Sequence, residues 1–523
     1  MRTDSSFDLK PVFEPDTIAV VGVSTSNLFN PGFIIYQRNL IIKGYTSGKV
    51  FGINPKGGSI EGTELKRSLF DIPKNIDVIV MCLKAGDSLP VFKDAIELGV
   101  KGFIVISGGF AETGPEGKAI QDEMARLSLR HGVPLIGPNC VGVYNPPYIN
   151  TIIIPNERFV VPKSRGNMGI VSQSGGVLLD QFFCKNFERD VAISKAVSLG
   201  NKAVIDEVEI LGYFEHDPQT EVIGFYLEGF ANQRGREFLL KSRETNKTIL
   251  MLKGGKSERG MKAASSHTAA IASNDLVLEG ALKQFSIINV NTEQELVAYV
   301  KAFSLLAGEN KPFFTNSFSG NMATITVSGG HGVLSTDISD RYNLGLLEFS
   351  DAEMNDIRDA LSPTVRNIAG LGNPIDLTGS CNDDDVVHVL EVLMKNKRVE
   401  LVLLLILPYP PMLSMSLGSR IASVVRLYRK PIITYLPWLA KYEMIKEPLN
   451  EANIPVGNSI EEALLMAKAV QMRAMALKRA KYNKIIDAQD VLISDYQEFT
   501  HVLGEINKQR EKKKRNVMPE GGC

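Results

Sequence analysis

Short β-branched runs alternating with amphipathic stretches predict an α/β protein of three doubly wound domains with a helical C-terminal extension. Three observations carry that prediction. The runs fall into three series, each series opens with a strand, a Gly/Ser turn and a helix-like stretch, and the runs stop after about residue 460.

The first series is TIAVVG (17–22), KVFGIN (49–54), IDVIVMC (76–82), GFIVIS (102–107) and VPLIG (133–137). Near-continuous apolar strands separated by helical stretches belong to a parallel sheet covered on both faces. The second series runs from MGIVSQSGG (168–176) through VAISKAVSLG, EVIGFYLEG and TILMLKGG to SIINV. The third opens at MATITVSGG (322–330) and continues through ELVLLLIL (400–407) and PIITYL (431–436). Linkers are expected near 146–166 and 306–321, giving domains at 1–148, 149–310 and 311–475. Residues 476–523 form the extension, whose basic ending NKQREKKKRNVMPEGGC reads as a solvated tail.

A chain of 523 residues suits that count, at roughly 100–200 residues per domain. Its composition, 44% hydrophobic and 22% charged, is ordinary for globular material. A net charge of −1 gives no general attraction to nucleic acid or anionic membrane. The longest apolar run, LVLLLIL at 401–407, is strand length, far short of the roughly 20 residues of a membrane span. The start MRTDSSFDLK has no apolar signal segment. Five scattered cysteines without metal spacing predict reduced thiols in a cytoplasm and no metal site.

In the first domain AVVGVSTSNLFNPG keeps Gly22 but lacks the Gly-x-Gly-x-x-Gly dinucleotide fingerprint. It reads either as a plain strand-to-helix turn or as a Ser/Thr-rich phosphate turn. Lys56, in INPK, is either a phosphate partner or a plain surface lysine. SGGFAETG (107–114) and IGPNCVG (136–142) follow the next strands. All four loops converge on the carboxyl edge of one open sheet, where ligands of doubly wound folds bind, so a phosphate-bearing ligand is predicted there.

His267 lies in KGGKSERGMKAASSHTAAIAS, after a strand and a run rich in Gly, Ser and Lys. A neutral imidazole, with a pKa near about 6.5, can act there as a nucleophile toward phosphate held by backbone N–H groups and cations. A solvent-facing or structurally bonded histidine is the alternative.

Together these segments resemble a family. AVVGVS, NPK, SGGFAETG and IGPNCVG are similar to the CoA-binding domain of the succinyl-CoA synthetase α-subunit superfamily. SQSGG (172–176), SLGNKAVID (198–206), YLEG (226–229) and the His267 run resemble its second domain. SGGHGVLSTD (328–337) and NPIDLTG (373–379) add a third domain. In order and spacing the chain resembles the α-subunit of the NDP-forming acyl-CoA synthetases, the ADP-forming acetate–CoA ligase group.

The resemblance implies a Rossmann-like CoA-binding domain and two flavodoxin-like domains. It implies reversible conversion of acyl-CoA, phosphate and ADP into free acid, CoA and ATP through acyl phosphate and phosphohistidine. His267 would carry the phosphoryl group and Glu228 would orient it; Ser174, Gly175, Gly176, Gly254, Gly255 and Ser266 would bind phosphate. Gly22, Ser24, Asn54 and Lys56 would meet the nucleotide end of CoA. Pro138, Asn139 and Cys140 would shape the turn at its thiol end, Cys140 otherwise being a small buried residue. ADP or ATP and Mg²⁺ would sit on a separate ATP-grasp β-subunit in an α2β2-type hetero-oligomer acting on a small carboxylic acid. A regulatory CoA-binding protein of the same fold is the alternative; an NAD-dependent oxidoreductase is disfavoured by the missing fingerprint. Three positions depart from the family pattern: Ala269 where a glycine usually follows His-Thr, His331 in a turn expected to hold a small residue or proline, and MCLKAGDS (81–88). His331 is expected to be a surface turn residue rather than a second phosphate carrier.

Overall fold

In the computed structural model, residues 7–483 are described, apart from 156–157, 159–165, 185–191, 263–274, 307–319 and the single positions 47, 74, 232, 258, 261 and 429. Five parallel strands build the first sheet: β1 (Ile18–Val21), β2 (Val50–Ile53), β3 (Val78–Met81), β4 (Phe103–Val105) and β5 (Leu135–Ile136). Their order is β2-β1-β3-β4-β5, with Ile18 opposite both Val50 and Val78. The chain reverses its winding direction between β1 and β3, which opens a crevice at their carboxyl ends. Every residue of these strands is buried, as expected when helices cover both faces of a parallel sheet.

A short hairpin, β6 (Val143–Asn145) and β7 (Ile149–Asn150), then leaves the first sheet and joins the second. The second sheet adds β8 (Met168–Ser172), β9 (Ile193–Ser198), β10 (Val222–Leu227), β11 (Thr248–Lys253) and β12 (Ile288–Val290). Its order is β12-β11-β10-β8-β9-β6-β7, parallel except at the hairpin, where Val143 and Tyr144 pair antiparallel with Val197 and Ala196. The third sheet contains β13 (Met322–Thr326), β14 (Ile375–Asp376), β15 (Leu401–Leu405), β16 (Ile432–Tyr435) and β17 (Val456–Gly457). It is parallel and repeats the order of the first: β14-β13-β15-β16-β17. The three-sheet α/β architecture expected from the sequence is the one observed.

The middle sheet ties the others together through the period-two alternation of its strands. Met168, Ile170, Val222, Leu250 and Leu252 face a core shared with the third sheet. Val171, Ile223, Phe225, Ile249 and Met251 face a core shared with the first. Backbone bonds also stitch the first two sheets edge to edge, from Asn201 N–H to Pro138 O (2.9 Å), Ala203 N–H to Gly137 O (3.1 Å) and Ile205 N–H to Leu135 O (3.2 Å). A helix at Ile460–Asn483 follows the last strand. Among the described residues no helix is long and apolar enough to cross a membrane.

Candidate active site

The carboxyl edge of the first sheet is shaped by backbone that leaves little room for side chains. Gly22, at φ +93°, ends β1, and a Cβ there would lie 2.5 Å from Cys82 O. The following turn is held from within: Ser24 Oγ accepts from Asn27 N–H at 3.0 Å and from Ser26 N–H at 3.3 Å. Helix α1 (Pro31–Ile42) starts with Asn30 as its cap, accepting from Phe33 N–H, and with Pro31 in the first turn, where a missing N–H costs nothing. Asn54 links the loops after β1 and β2. Its Nδ2 donates to Val23 O at 3.0 Å and its Oδ1 accepts from Lys56 N–H at 2.9 Å. Lys56 itself is exposed beside that turn.

The turn after β5 carries Pro138, behind a cis Gly137–Pro138 bond, and Asn139 in the left-handed region at φ 58°. Cys140 is 7% exposed, and its thiol donates to Val105 O at 3.2 Å. Burial pushes this thiol up to about 12, so it stays protonated and unreactive at neutral pH. That environment matches the small buried residue rather than a reacting thiol.

In the second sheet β8 ends in the turn Ser172–Gly176. Ser174 caps a short helix, α2 (Gly175–Leu178), by accepting from Val177 N–H at 3.3 Å. Gly175 is required by a neighbour from the other sheet: a Cβ there would lie 2.6 Å from Val141 Cγ2. The turn after β5 and the turn after β8 are therefore in direct contact. Gln173 reaches across to β10, accepting from Glu228 N–H at 3.0 Å. Glu228 flanks the end of β11: a Cβ on Gly254 would lie 2.8 Å from Tyr226 Oη and 3.5 Å from Glu228 Cγ. Burial raises the Tyr226 phenol pKa, and the negative charge of Glu228 adds to the effect. Lys253 donates to Gly254 O at 2.9 Å and Gly255 O at 3.4 Å. Burial lowers its pKa, opposed by Asp275 and reinforced by Lys256. The structure thus brings Ser174, Gly175, Glu228, Gly254 and Gly255 to adjoining strand ends. His267, Ser266 and Ala269 lie outside the described residues.

Several residues around this junction escaped sequence reasoning. Asn201 Nδ2 donates to Glu112 Oε2 at 2.6 Å and Gln121 Oε1 at 2.9 Å, linking the second sheet to the SGGFAETG loop. Burial pushes the Glu112 carboxyl upward, but hydrogen bonds from Asn201, Gly109 N–H and Phe110 N–H outweigh it and hold its pKa below the usual range. Asp206 caps helix α3 (Glu207–His216) and pairs with Arg234 at 3.1 Å. The only sequence signal for these groups was their place within SGGFAETG and SLGNKAVID. Among the described residues no cluster of three or more His, Cys, Asp or Glu side chains suits a metal ion.

His331, expected as a surface turn residue, is instead half-buried in the first turn of helix α4 (Gly329–Arg341), which follows β13. Its Nδ1 lies 3.1 Å from Ser328 Oγ and its ring stacks 6.2 Å from that of Tyr435. A cleft of about 280 Å³ beside this turn is lined by Thr326, Gly332, Val333, Thr336, Pro374 and Asp376, among others.

Two doubly wound sheets with abutting Gly-rich turns at their carboxyl ends define a nucleotide-type α/β ligand-binding protein. A CoA-binding domain family matches residues 16–146, and a succinyl-CoA ligase-like flavodoxin domain family matches 165–303. The chain is 34% identical over 380 residues to the α-subunit of the ADP-forming acetate–CoA ligase I of Pyrococcus furiosus, covering 71% of this chain and 77% of that one. It is 33% identical over 405 residues to the ADP-forming acetate–CoA ligase I of Archaeoglobus fulgidus, covering 76% of this chain but 55% of that longer relative. Its structure resembles the dinucleotide forming acetyl-coenzyme A synthetase 1 of Ca. Korarchaeum cryptofilum solved with phosphate and ADP. That likeness has a TM-score of 0.79 at 28% identity, covering 92% of this chain and all of that one. The chain belongs to the ADP-forming acetate–CoA ligase family, the NDP-forming acyl-CoA synthetases.

Proposed function

We propose that this chain carries the acyl-CoA and phosphoryl-carrier half of an ADP-forming acid–CoA ligase, with a partner subunit supplying the ATP-grasp nucleotide site. The observation that best supports this reading is the contact between the turn after β5 and the turn after β8, where Val141 packs on Gly175. A CoA thiol end at the first turn would then lie beside phosphate at the second, as transfer from a thioester to phosphate requires.

In the forward direction an oxygen of inorganic phosphate attacks the thioester carbonyl carbon, the C–S bond breaks, and CoA leaves as the thiolate. The acyl phosphate then meets the imidazole of His267. A ring nitrogen attacks phosphorus, the bond between phosphorus and the acyl oxygen breaks, and the free acid leaves as its carboxylate. Glu228 accepts the N–H on the other ring nitrogen, fixing the tautomer and stabilising the charged ring. Backbone N–H groups of Ser174, Gly175 and Gly176 and those near Gly254, Gly255 and Ser266 stabilise charge on the phosphoryl oxygens, the main requirement of phosphoryl transfer. Phosphohistidine would finally pass its phosphoryl group to ADP on the partner subunit, where Mg²⁺ would neutralise the nucleotide phosphates. Gly22, Ser24 and Lys56 line the nucleotide end of CoA, with Asn54 holding their loops in register.

The test is phosphorylation. Incubation with acetyl-CoA and ³²P-phosphate, or with γ-³²P-ATP and an ATP-grasp β-subunit, is expected to leave acid-labile, base-stable label on the peptide containing His267. Label on any other residue, or none under either condition, overturns the reading.

A further inference from the structure

Glu228 sits in a loop whose backbone is fixed by three side chains from elsewhere. Its own N–H is taken by Gln173 Oε1 at 3.0 Å. The next carbonyl, Gly229 O, accepts from Lys202 Nζ at 2.6 Å, and Ala231 N–H donates to Glu207 Oε1 at 2.6 Å. Lys202 and Glu207 also pair with each other at 3.0 Å, their side chains 7% and 0% exposed. A buried ion pair is weak grounds for stability, because desolvation offsets most of its attraction. Two charges that spend their remaining hydrogen bonds on one loop instead fix that loop's position.

The neighbouring residue points the other way. Asn201 donates its backbone N–H to Pro138 O at 2.9 Å and accepts from Asn139 Nδ2 at 3.4 Å. Lys202 lies in the left-handed region at φ 54°, an uncommon conformation for a residue with a Cβ, which points to a functional or structural constraint. Residues 201 and 202 thus join the turn after β5 to the Glu228 loop.

We propose that Lys202, paired with Glu207, is a positioning residue for Glu228, and that Asn201 references that position to the CoA-side turn. This rests on the phosphohistidine reading given above.

A double-mutant cycle on His267 phosphorylation from acetyl-CoA and ³²P-phosphate tests it. Lys202→Met combined with Glu207→Gln removes both charges together, avoiding an orphaned ion. Its phosphorylation rate is expected to fall ~10–100-fold, the scale of a misplacement near 1 Å, with the KM for acetyl-CoA changed less than about twofold. Glu228→Gln alone should lose at least as much. Adding the pair to Glu228→Gln should cost less than about twofold more, because groups acting through one residue are not additive. A general structural lesion would multiply instead, and such multiplication overturns the proposal, as does a wild-type rate in the charge-free pair. Should the pair not fold, Glu207→Gln alone keeps the acceptor for Ala231 N–H and runs the same cycle, where multiplying losses or a wild-type rate again overturn the brace. Absence of label on the wild-type protein overturns the functional reading and the brace together; label on the wild type with multiplying losses overturns the brace alone.

Discussion

The second and third sheets each contain a strand, a serine, two glycines and a helix, yet the two turns differ in what fills the space before the helix. After β8, Ser174 caps its helix through Val177 N–H, and the turn faces Val141 and the Glu228 loop. After β13, Ser328 makes no capping bond and lies against His331 Nδ1 instead. There the carboxylate of Asp376 stands in front of the turn, with Oδ2 2.9 Å from where a Cβ on Gly329 would be. A helix N-terminus attracts anions, and in the third sheet the protein's own carboxylate already supplies one.

The widest separation between the two turns should come from their histidines. His267→Ala removes the proposed nucleophile and is expected to lower turnover of the reconstituted ligase by ~10³-fold or more, since the covalent route is lost. His331→Ala, at the turn closed by Asp376, should change turnover less than about twofold. Steady-state acetyl-CoA formation measures both, and a large loss at His331 would make the third sheet's turn chemical.

The glycines offer a second, smaller contrast. Gly175→Ala drives a methyl group to within 2.6 Å of Val141 Cγ2, on a side chain stiff at χ1. The two turns must separate, and turnover should fall ~10-fold, as misalignment of reacting groups predicts. Gly330→Ala meets nothing within 4 Å and should leave turnover unchanged. Equal losses at the two positions would show that helix geometry, not the Val141 contact, matters.

Much of this contrast was legible in the sequence, and some was not. Strands of four or more mostly apolar residues announced themselves, as did the Gly/Ser turns behind them, because both signals are local. The hairpin at 143–150 and β14 were silent, because their places are set by partners far along the chain, such as Val197 for Val143 and Thr326 for Asp376. The same distance hid Asn201, whose partner Glu112 is 89 residues away. The resemblance pointed to Glu228 but carried no sign of the lysine beside its loop. Nor did the sequence show that the Asn54 side-chain amide is bonded to loop backbone through both its nitrogen and its oxygen.

Asp376→Asn sharpens the comparison by removing the charge that closes the third turn. Asparagine keeps an acceptor for Thr378 N–H, now bonded to Oδ1 at 2.9 Å. What disappears is the favourable interaction of a carboxylate with a helix N-terminus, about 0.3–1 kcal/mol. Thermal unfolding should register a drop of that size, with turnover within about twofold of wild type. A loss of turnover beyond ~10-fold would place Asp376 in the chemistry.

The smallest effect is expected at the buried thiols. Cys140 lies at the turn after β5 and Cys381 in the third domain, and burial pushes both up to about 12, with Asp385 adding to it at Cys381. At pH 8 each is protonated in all but roughly one molecule in 10⁴, and alkylating reagents attack the thiolate. Iodoacetamide on the native protein should therefore modify the exposed Cys184 and spare both, as peptide mass spectrometry would show. Cys140→Ala and Cys381→Ala should each keep turnover within about threefold, the former losing only a weak S–H donor to Val105 O. If Cys140→Ala alone fell ~100-fold while Cys381→Ala did not, the thiol beside the proposed CoA end would be a reacting group, and the turn after β5 would serve chemistry rather than packing.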